Sequence, residues 1–226
     1  MDGSELSDAG TRGVFDALVR AYVARHPEAT VVALGEGLGT AFWRLDNGRL
    51  NWLTVQPPEI AAVRRMLLPD GPRRRTVARA VTDHGWLDAV RDPDLGVVVT
   101  APGVLMRLSP AAVRALLAAC AERFPDGALV FDAPPRLKGV GGAPIRWVTA
   151  VARRGAALSG GRAPGPLRWG LDRAQLPRVA GAHPGIVAVR EVPVQRGRFG
   201  RFPAPLVCEV RFADARSLRR ASSAPT

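Results

Sequence analysis

"VVALGEGLGTAFWRLD", residues 31–46, decides how the rest of the chain is read. An apolar run breaks at Gly35, Gly37 and Gly39 and then resumes as a helix-compatible stretch. Glycine permits tight turning and close approach of backbone to a ligand. A buried strand that ends in such a turn ahead of a helix usually holds the charged or polar end of a small molecule. The dinucleotide fingerprint G-x-G-x-x-G needs its third glycine one position later than this chain has it.

Outward from the turn, strands and helices alternate. "TVVALG" (30–35) reads as a buried strand, and residues 39–45 begin a helix. "LNWLTV" (50–55) is a second strand, followed by "PEIAAVRRMLL" (58–68) with proline at a helix start. "RTVARAV" (75–81) is a weaker third strand and "GWLDAVRD" (85–92) a short helix. "LGVVVTA" (95–101) is the fourth strand. "SPAAVRALLAACAERF" (109–124) is a helix with Ser109 at its N-cap and Pro110 at its first position, and "GALVFDA" (127–133) is the fifth strand. Five short hydrophobic strands separated by helices imply a parallel sheet covered on both faces. Ligands of such sheets bind at the carboxyl ends of the strands near the switch point, where this turn lies.

After residue 133 the composition shifts to Gly, Pro and Arg. Residues 134–167 read as a loop or lid with a short helix around 146–157. "GIVAVREVPV" (185–194) and "PLVCEVRFA" (205–213) read as a strand pair, and 214–226 as a disordered tail. The expectation is one domain over residues 1–226.

The chain has 226 residues and a formal charge of +12. Almost all of the positive charge is arginine, Lys138 being the only lysine. The arginines are scattered and not interleaved with aromatics, which argues against direct nucleic-acid binding and for an anionic small substrate or an acidic protein partner. No run of about 18 apolar residues suggests a membrane span. "MDGSELSDAG" is acidic and polar, unlike a signal peptide, so a cytoplasmic location is expected. Cys120 and Cys208 fall on a helix and a strand and read as buried free thiols, with no metal-site spacing around them.

The G-x-G-x-G spacing favours a nucleoside ligand without a pyrophosphate, such as S-adenosylmethionine. Residues 11–69, "TRGVFDALVRAYVARHPEATVVALGEGLGTAFWRLDNGRLNWLTVQPPEIAAVRRMLLP", resemble the leucine carboxyl methyltransferase family, nearest its bacterial polyketide O-methyltransferase branch. The family pattern LGxGLDTRxxR is "LGEGLGTAFWR" here, and W-x-D-x-D-x-P-E is "WLTVQPPE". "DHGWLDAV", "APGVLMRL", "LVFDAPP" and "LRWGLD" follow in family order, so the resemblance extends over about residues 11–212. It implies a Rossmann-like α/β class I methyltransferase fold. The sheet would have seven mostly parallel strands with helices on both faces, and the last two strands would form its antiparallel end.

The resemblance also implies site residues. Arg12 stands where the family has an arginine near the amino acid end of the cofactor, and a guanidinium there can pair with the methionine carboxylate. Gly35, Glu36 and Gly37 are the cofactor turn, and Gln56 stands at the ribose position. Ala80 and Val81 would line the adenine and Ala101 ends the fourth strand beside it. Asp83 either accepts from the exocyclic amine or caps the helix near Gly85. Trp86 reads as core. Met106 and Arg107 lie at the rim where an anionic acceptor would be held, and His84 is either a base for a hydroxyl acceptor or a surface histidine.

Six positions depart from the family. Its Asp and Arg in the glycine turn are Gly39 and Ala41, its two second-strand aspartates are Thr54 and Gln56, its A-E-G glutamate is Pro102, and its Tyr is Arg107. Buried hydrogen-bonding losses of about 1–3 kcal/mol each would accumulate. Two functions therefore remain. One is S-adenosylmethionine-dependent methylation of a carboxylate or hydroxyl on a small polyketide-like product. The other is a retained fold without methyl transfer, serving as a cyclase, an isomerase or a non-catalytic partner.

Overall fold

A computed structural model describes residues 3–134, 167–194 and 205–214. Its elements are α1 (Gly3–Val23), β1 (Thr30–Leu34), α2 (Ala41–Leu45), β2 (Asn51–Gln56), α3 (Pro58–Leu67), β3 (Arg74–Ala78), β4 (Val97–Ala101), α4 (Pro110–Arg123), β5 (Ala128–Ala133), α5 (Leu176–Ala180), β6 (Ile186–Val192) and β7 (Leu206–Phe212). The expected lid and its helix around 146–157, the loop between β6 and β7, and the tail lie outside the described residues, apart from their first or last positions.

The seven strands are ordered β3-β2-β1-β4-β5-β7-β6. β1 to β5 are mutually parallel, while β7 runs antiparallel between β5 and β6. The order reverses between β1 and β4, so the crevice of this sheet opens where those two strands end. This is the expected sheet with its antiparallel end.

Alternation along the strands divides the core in two. Val31, Ala33, Trp52, Val98 and Val130 face α1 and α2. Val32, Leu34, Leu53, Val99 and Leu129 face α4, α5 and a 3-10 helix at His84–Ala89. Helices therefore cover both faces. Ser109 caps α4 by accepting from the Ala112 amide at 3.2 Å, with Pro110 at the first helical position. Cys120 and Cys208 are buried free thiols.

Local expectations needed correction at several boundaries, the fourth strand among them, which begins at Val97 rather than at 95. The 39–45 helix begins only at Ala41, β3 ends at Ala78 rather than at 81, and the 85–92 helix is a 3-10 segment ending at Ala89. In addition, α1 was not anticipated from periodicity, although Phe15, Leu18, Val19, Tyr22 and Val23 are all buried at helical spacing. Tyr22 fastens this helix to the sheet: its hydroxyl donates to Asp126 O at 3.1 Å and accepts from the Val97 amide at 3.0 Å.

Candidate functional site

The glycine turn leaves β1 with the Gly35 amide donating to Val55 O at 3.0 Å. Gly35 and Gly37 have φ of +64° and +61°, the left-handed region that favours glycine. Their surroundings differ. A side chain at Gly35 would meet Val104 Cγ2 at 2.6 Å, whereas nothing lies within 4 Å in front of Gly37. Gly35 thus lets the segment after β4 close over the turn, and Gly37 keeps a face of the turn open.

Beneath the turn lies a buried polar network that the sequence reading did not find. The Glu36 side chain points inward. Its Oε2 accepts from Trp52 Nε1 at 3.1 Å, Thr54 Oγ1 at 3.1 Å and Arg64 Nη2 at 3.2 Å, and its Oε1 accepts from the Ala41 amide at 3.3 Å. Arg64, 1% exposed, also donates from Nη1 to the carbonyls of Gly37 at 2.5 Å and Gly39 at 3.1 Å. Desolvation lowers the Arg64 pKa and the Glu36 charge opposes that shift; a guanidinium remains charged throughout. With the Gln56 amide oriented to satisfy its hydrogen bonds, its carbonyl oxygen accepts from the amides of Glu36 at 2.6 Å and Gly37 at 2.5 Å.

These contacts revise the expectation of a pocket stripped of polar partners. A side chain at Gly39 would lie 2.5 Å from Glu36 Cγ, so the family aspartate has no room beside this inward carboxylate. Glu36 also bonds the first amide of α2, where the N-cap Thr40 makes no side-chain cap. Thr54 donates to Glu36, and Gln56 ties down the turn. Four of the six departures, Gly39, Ala41, Thr54 and Gln56, therefore meet in one satisfied network.

At the end of β4, Pro102 is exposed and the Gly103 amide donates to Asp132 Oδ1 at 2.6 Å. Asp132, 8% exposed at the end of β5, braces this second turn; the sequence showed it only within the "LVFDAPP" motif. Met106 and Arg107 belong to the 3-10 turn that follows (Leu105–Arg107), with the Arg107 side chain exposed. The Met106 carbonyl accepts from the amides of Arg168 at 2.7 Å and Trp169 at 3.1 Å, which straps residues 168–169 across the rim.

The other positions lie as follows. Ala101 ends β4 and is buried. Arg12 is on the exposed side of α1, one helical turn from Asp16, which pairs with Arg44 of α2 at 3.1 Å. The Val81 carbonyl accepts from Trp86 Nε1 at 3.2 Å, and Trp86 itself is fully buried. Asp83 makes the cap: Oδ1 accepts from the Gly85 amide at 3.1 Å, and Oδ2 pairs with Arg79 at 2.7 Å. The Arg79 hydrogen bond, then that amide, lower its pKa. Ala80 is exposed between them. His84 opens the 3-10 helix after β3, whereas Met106 and Arg107 follow β4; β2 and β1 lie between those two strands. Among the described residues no group of three or more His, Cys, Asp or Glu could hold a metal ion.

This sheet recurs in solved structures. Magnesium protoporphyrin IX methyltransferase from Synechocystis PCC 6803, with bound SAH, superposes with a TM-score of 0.58 at 16% identity, over 94% of this chain and 89% of that one. An O-methyltransferase family protein from Burkholderia thailandensis gives 0.55 at 17% identity, over 93% and 59%. The fold is that of a class I methyltransferase. No family model matches the chain. In sequence, 113 residues are 31% identical to the tetracenomycin polyketide synthesis O-methyltransferase TcmP of Streptomyces glaucescens, a stretch covering 50% of this chain and 42% of that protein. The matched stretch is thus less than half the length of that relative. Within this class I methyltransferase fold, the remodelled turn occupies the end of β1, at the crevice. No helix among the described residues is long and apolar enough to cross a membrane.

Proposed function

We propose that the protein is an S-adenosylmethionine-dependent O-methyltransferase of the leucine carboxyl methyltransferase family, acting on a carboxylate or hydroxyl of a small polyketide-like molecule. The observation that carries this reading is the Glu36–Arg64 network. It holds the turn with an open face at Gly37, using side chains that accommodate the family departures. A turn under no constraint has no reason to keep a buried ion pair, which costs desolvation energy.

The residues present fit the cofactor at the turn and at the far end of the crevice. Gly35 and Gly37 would let backbone approach the amino acid end, with Arg12 pairing its carboxylate. Val81 and Asp83 would border the adenine, Ala101 would be a further cofactor contact, and Gln56 would stand at the ribose. S-adenosylmethionine, when bound, supplies an electrophilic methyl group. The protein's part is then to hold the acceptor in line, since proximity and orientation supply most of such catalysis. Arg107, exposed beside Met106 in the turn after β4, would orient an anionic acceptor. A carboxylate acceptor is already ionised near neutral pH and needs no base; a hydroxyl acceptor would need one, for which His84 is the candidate.

One observation favours a second reading. The Gln56 carbonyl oxygen already accepts two turn amides, and a carbonyl has only two lone pairs. The ribose position then lacks an unengaged acceptor. The fold would be kept for a cyclase, an isomerase or a non-catalytic partner. Calorimetry with S-adenosylmethionine and S-adenosylhomocysteine separates the two: a saturable heat supports methyl transfer, and no heat at millimolar ligand sinks it.

A further inference from the structure

A cavity of about 200 Å³ lies on the α4 face, between α4 and residues 168–182. Its floor is apolar: Val113 and Leu117 of α4 meet Leu171 and Val179, all buried. Three exposed arginines line it, Arg114, Arg168 and Arg178, and among the described residues no carboxylate does. Elsewhere on the described surface arginines are commonly ion-paired, as Arg44 is with Asp16, Arg73 with Asp46 and Arg173 with Glu191. Among the described residues none of these three guanidinium groups has a carboxylate within 4.0 Å. The neighbouring acids are engaged: Asp172 closes a capping box with Gln175, and Glu191 holds Arg173.

Three arginines around an apolar hollow favour an anion seated in it, because their charges attract it. A guanidinium suits a carboxylate because its planar fork can donate two parallel hydrogen bonds. The wall is also preformed. The Arg168 and Trp169 amides are fixed to Met106 O, the Leu171 amide to Pro134 O at 3.1 Å, and the Trp169 ring packs on Phe131 at 5.6 Å. Preformed, mostly apolar walls with a few placed polar groups characterise small-molecule sites.

We infer that this cavity binds a small amphipathic carboxylate, its apolar body over Val113, Leu117 and Val179 and its charge among Arg114, Arg168 and Arg178. The strap at residues 168–169 forms part of its wall, and no residue of the glycine turn lines it, so the site stands whether or not the cofactor binds.

The test is calorimetric titration with octanoate, octanamide and propionate. Octanamide keeps the chain without the charge, and propionate keeps the charge with little chain. Octanoate should bind at least tenfold more tightly than either. Arg114→Gln combined with Arg178→Gln should weaken octanoate at least tenfold. Val179→Phe, which fills the floor, should weaken it without changing charge, and unchanged thermal unfolding would show that both variants fold. No octanoate binding at millimolar concentration overturns the proposal, as does equal binding of octanoate to wild type and to both variants. A parallel titration with S-adenosylhomocysteine reports on the crevice alone, so a failure there leaves the carboxylate site standing.

Discussion

Glu36 and Arg64, 28 residues apart, pair at 3.2 Å beneath the glycine turn with side-chain exposures of 9% and 1%. Breaking a buried pair leaves one charge uncompensated in a low dielectric and costs about 3–5 kcal/mol. Arg64→Met and Glu36→Gln should each lower the urea-unfolding free energy by about that much. The double variant should be less destabilised than the sum of the two, because the charges are removed together. Additive losses would show that the two side chains do not interact.

Gly39 is glycine for a steric reason. Its φ is outside the left-handed region, so what opposes substitution is Glu36: its side chain lies 2.5 Å and its carbonyl oxygen 3.0 Å from where a methyl group at position 39 would stand. Gly39→Ala should cost about 1–3 kcal/mol through overpacking. Adding Glu36→Ala should remove part of that penalty, which thermal unfolding of the four variants would reveal. An unchanged Gly39→Ala would place the Glu36 side chain elsewhere.

Gln56→Glu tests the ribose position. A carboxylate has about four lone-pair sites, so it can keep both turn amides and still accept from a ribose hydroxyl. Affinity for S-adenosylhomocysteine should rise about fivefold, on the order of 1 kcal/mol. Calorimetry showing weaker binding would mean that position 56 does not face the ribose.

Alkaline pH should destabilise the protein through buried groups: Tyr22, Cys208 and Cys120, whose thiol is also raised by burial. Burial raises the Tyr22 phenol from 10.0 to about 12, and burial, with the Glu191 and Asp132 charges, raises the Cys208 thiol from 9.0 to about 12. Both folded-state values are raised, so their contribution is complete below the unfolded pKa. It falls as pH rises from about 9 for Cys208 and 10 for Tyr22 toward 12. Tyr22→Phe should flatten the upper part of that decline while costing about 1–3 kcal/mol at neutral pH, because the Val97 amide loses its acceptor. Urea unfolding across this range checks both.

The sheet was legible because strands and helices alternate with sharp punctuation. Pro58, Ser109 and Pro110 start helices for local reasons that one sequence displays. The α1 stripe was equally local and visible at residues 15, 18, 19, 22 and 23, yet this stretch was read only through its resemblance. Arg64 carried a signal too. It lies three residues after Ala61, on the buried side of α3, where an arginine requires a buried acceptor. Its partner was not legible, because nothing in a single chain marks position 36 as inward-facing. The same holds for Gln56. Its residue type suggested a weakened ligand acceptor, and only coordinates show its carbonyl turned onto the amides of the turn. Asp83 offered a cap and a ligand contact from sequence, and the described geometry realises the cap.

The place of β7 in the sheet has a consequence for biosynthesis. Among the described residues β7 inserts between β5 and β6, and β6 pairs only with β7. While the ribosome is still making residues before Leu206, Ala128–Ala133 presents an unpaired edge and β6 has no neighbour. Such edges recruit other strands. The nascent chain is therefore most exposed to misassembly until Leu206–Phe212 emerges, and zipping in of that strand is the event that seals β5 and β6.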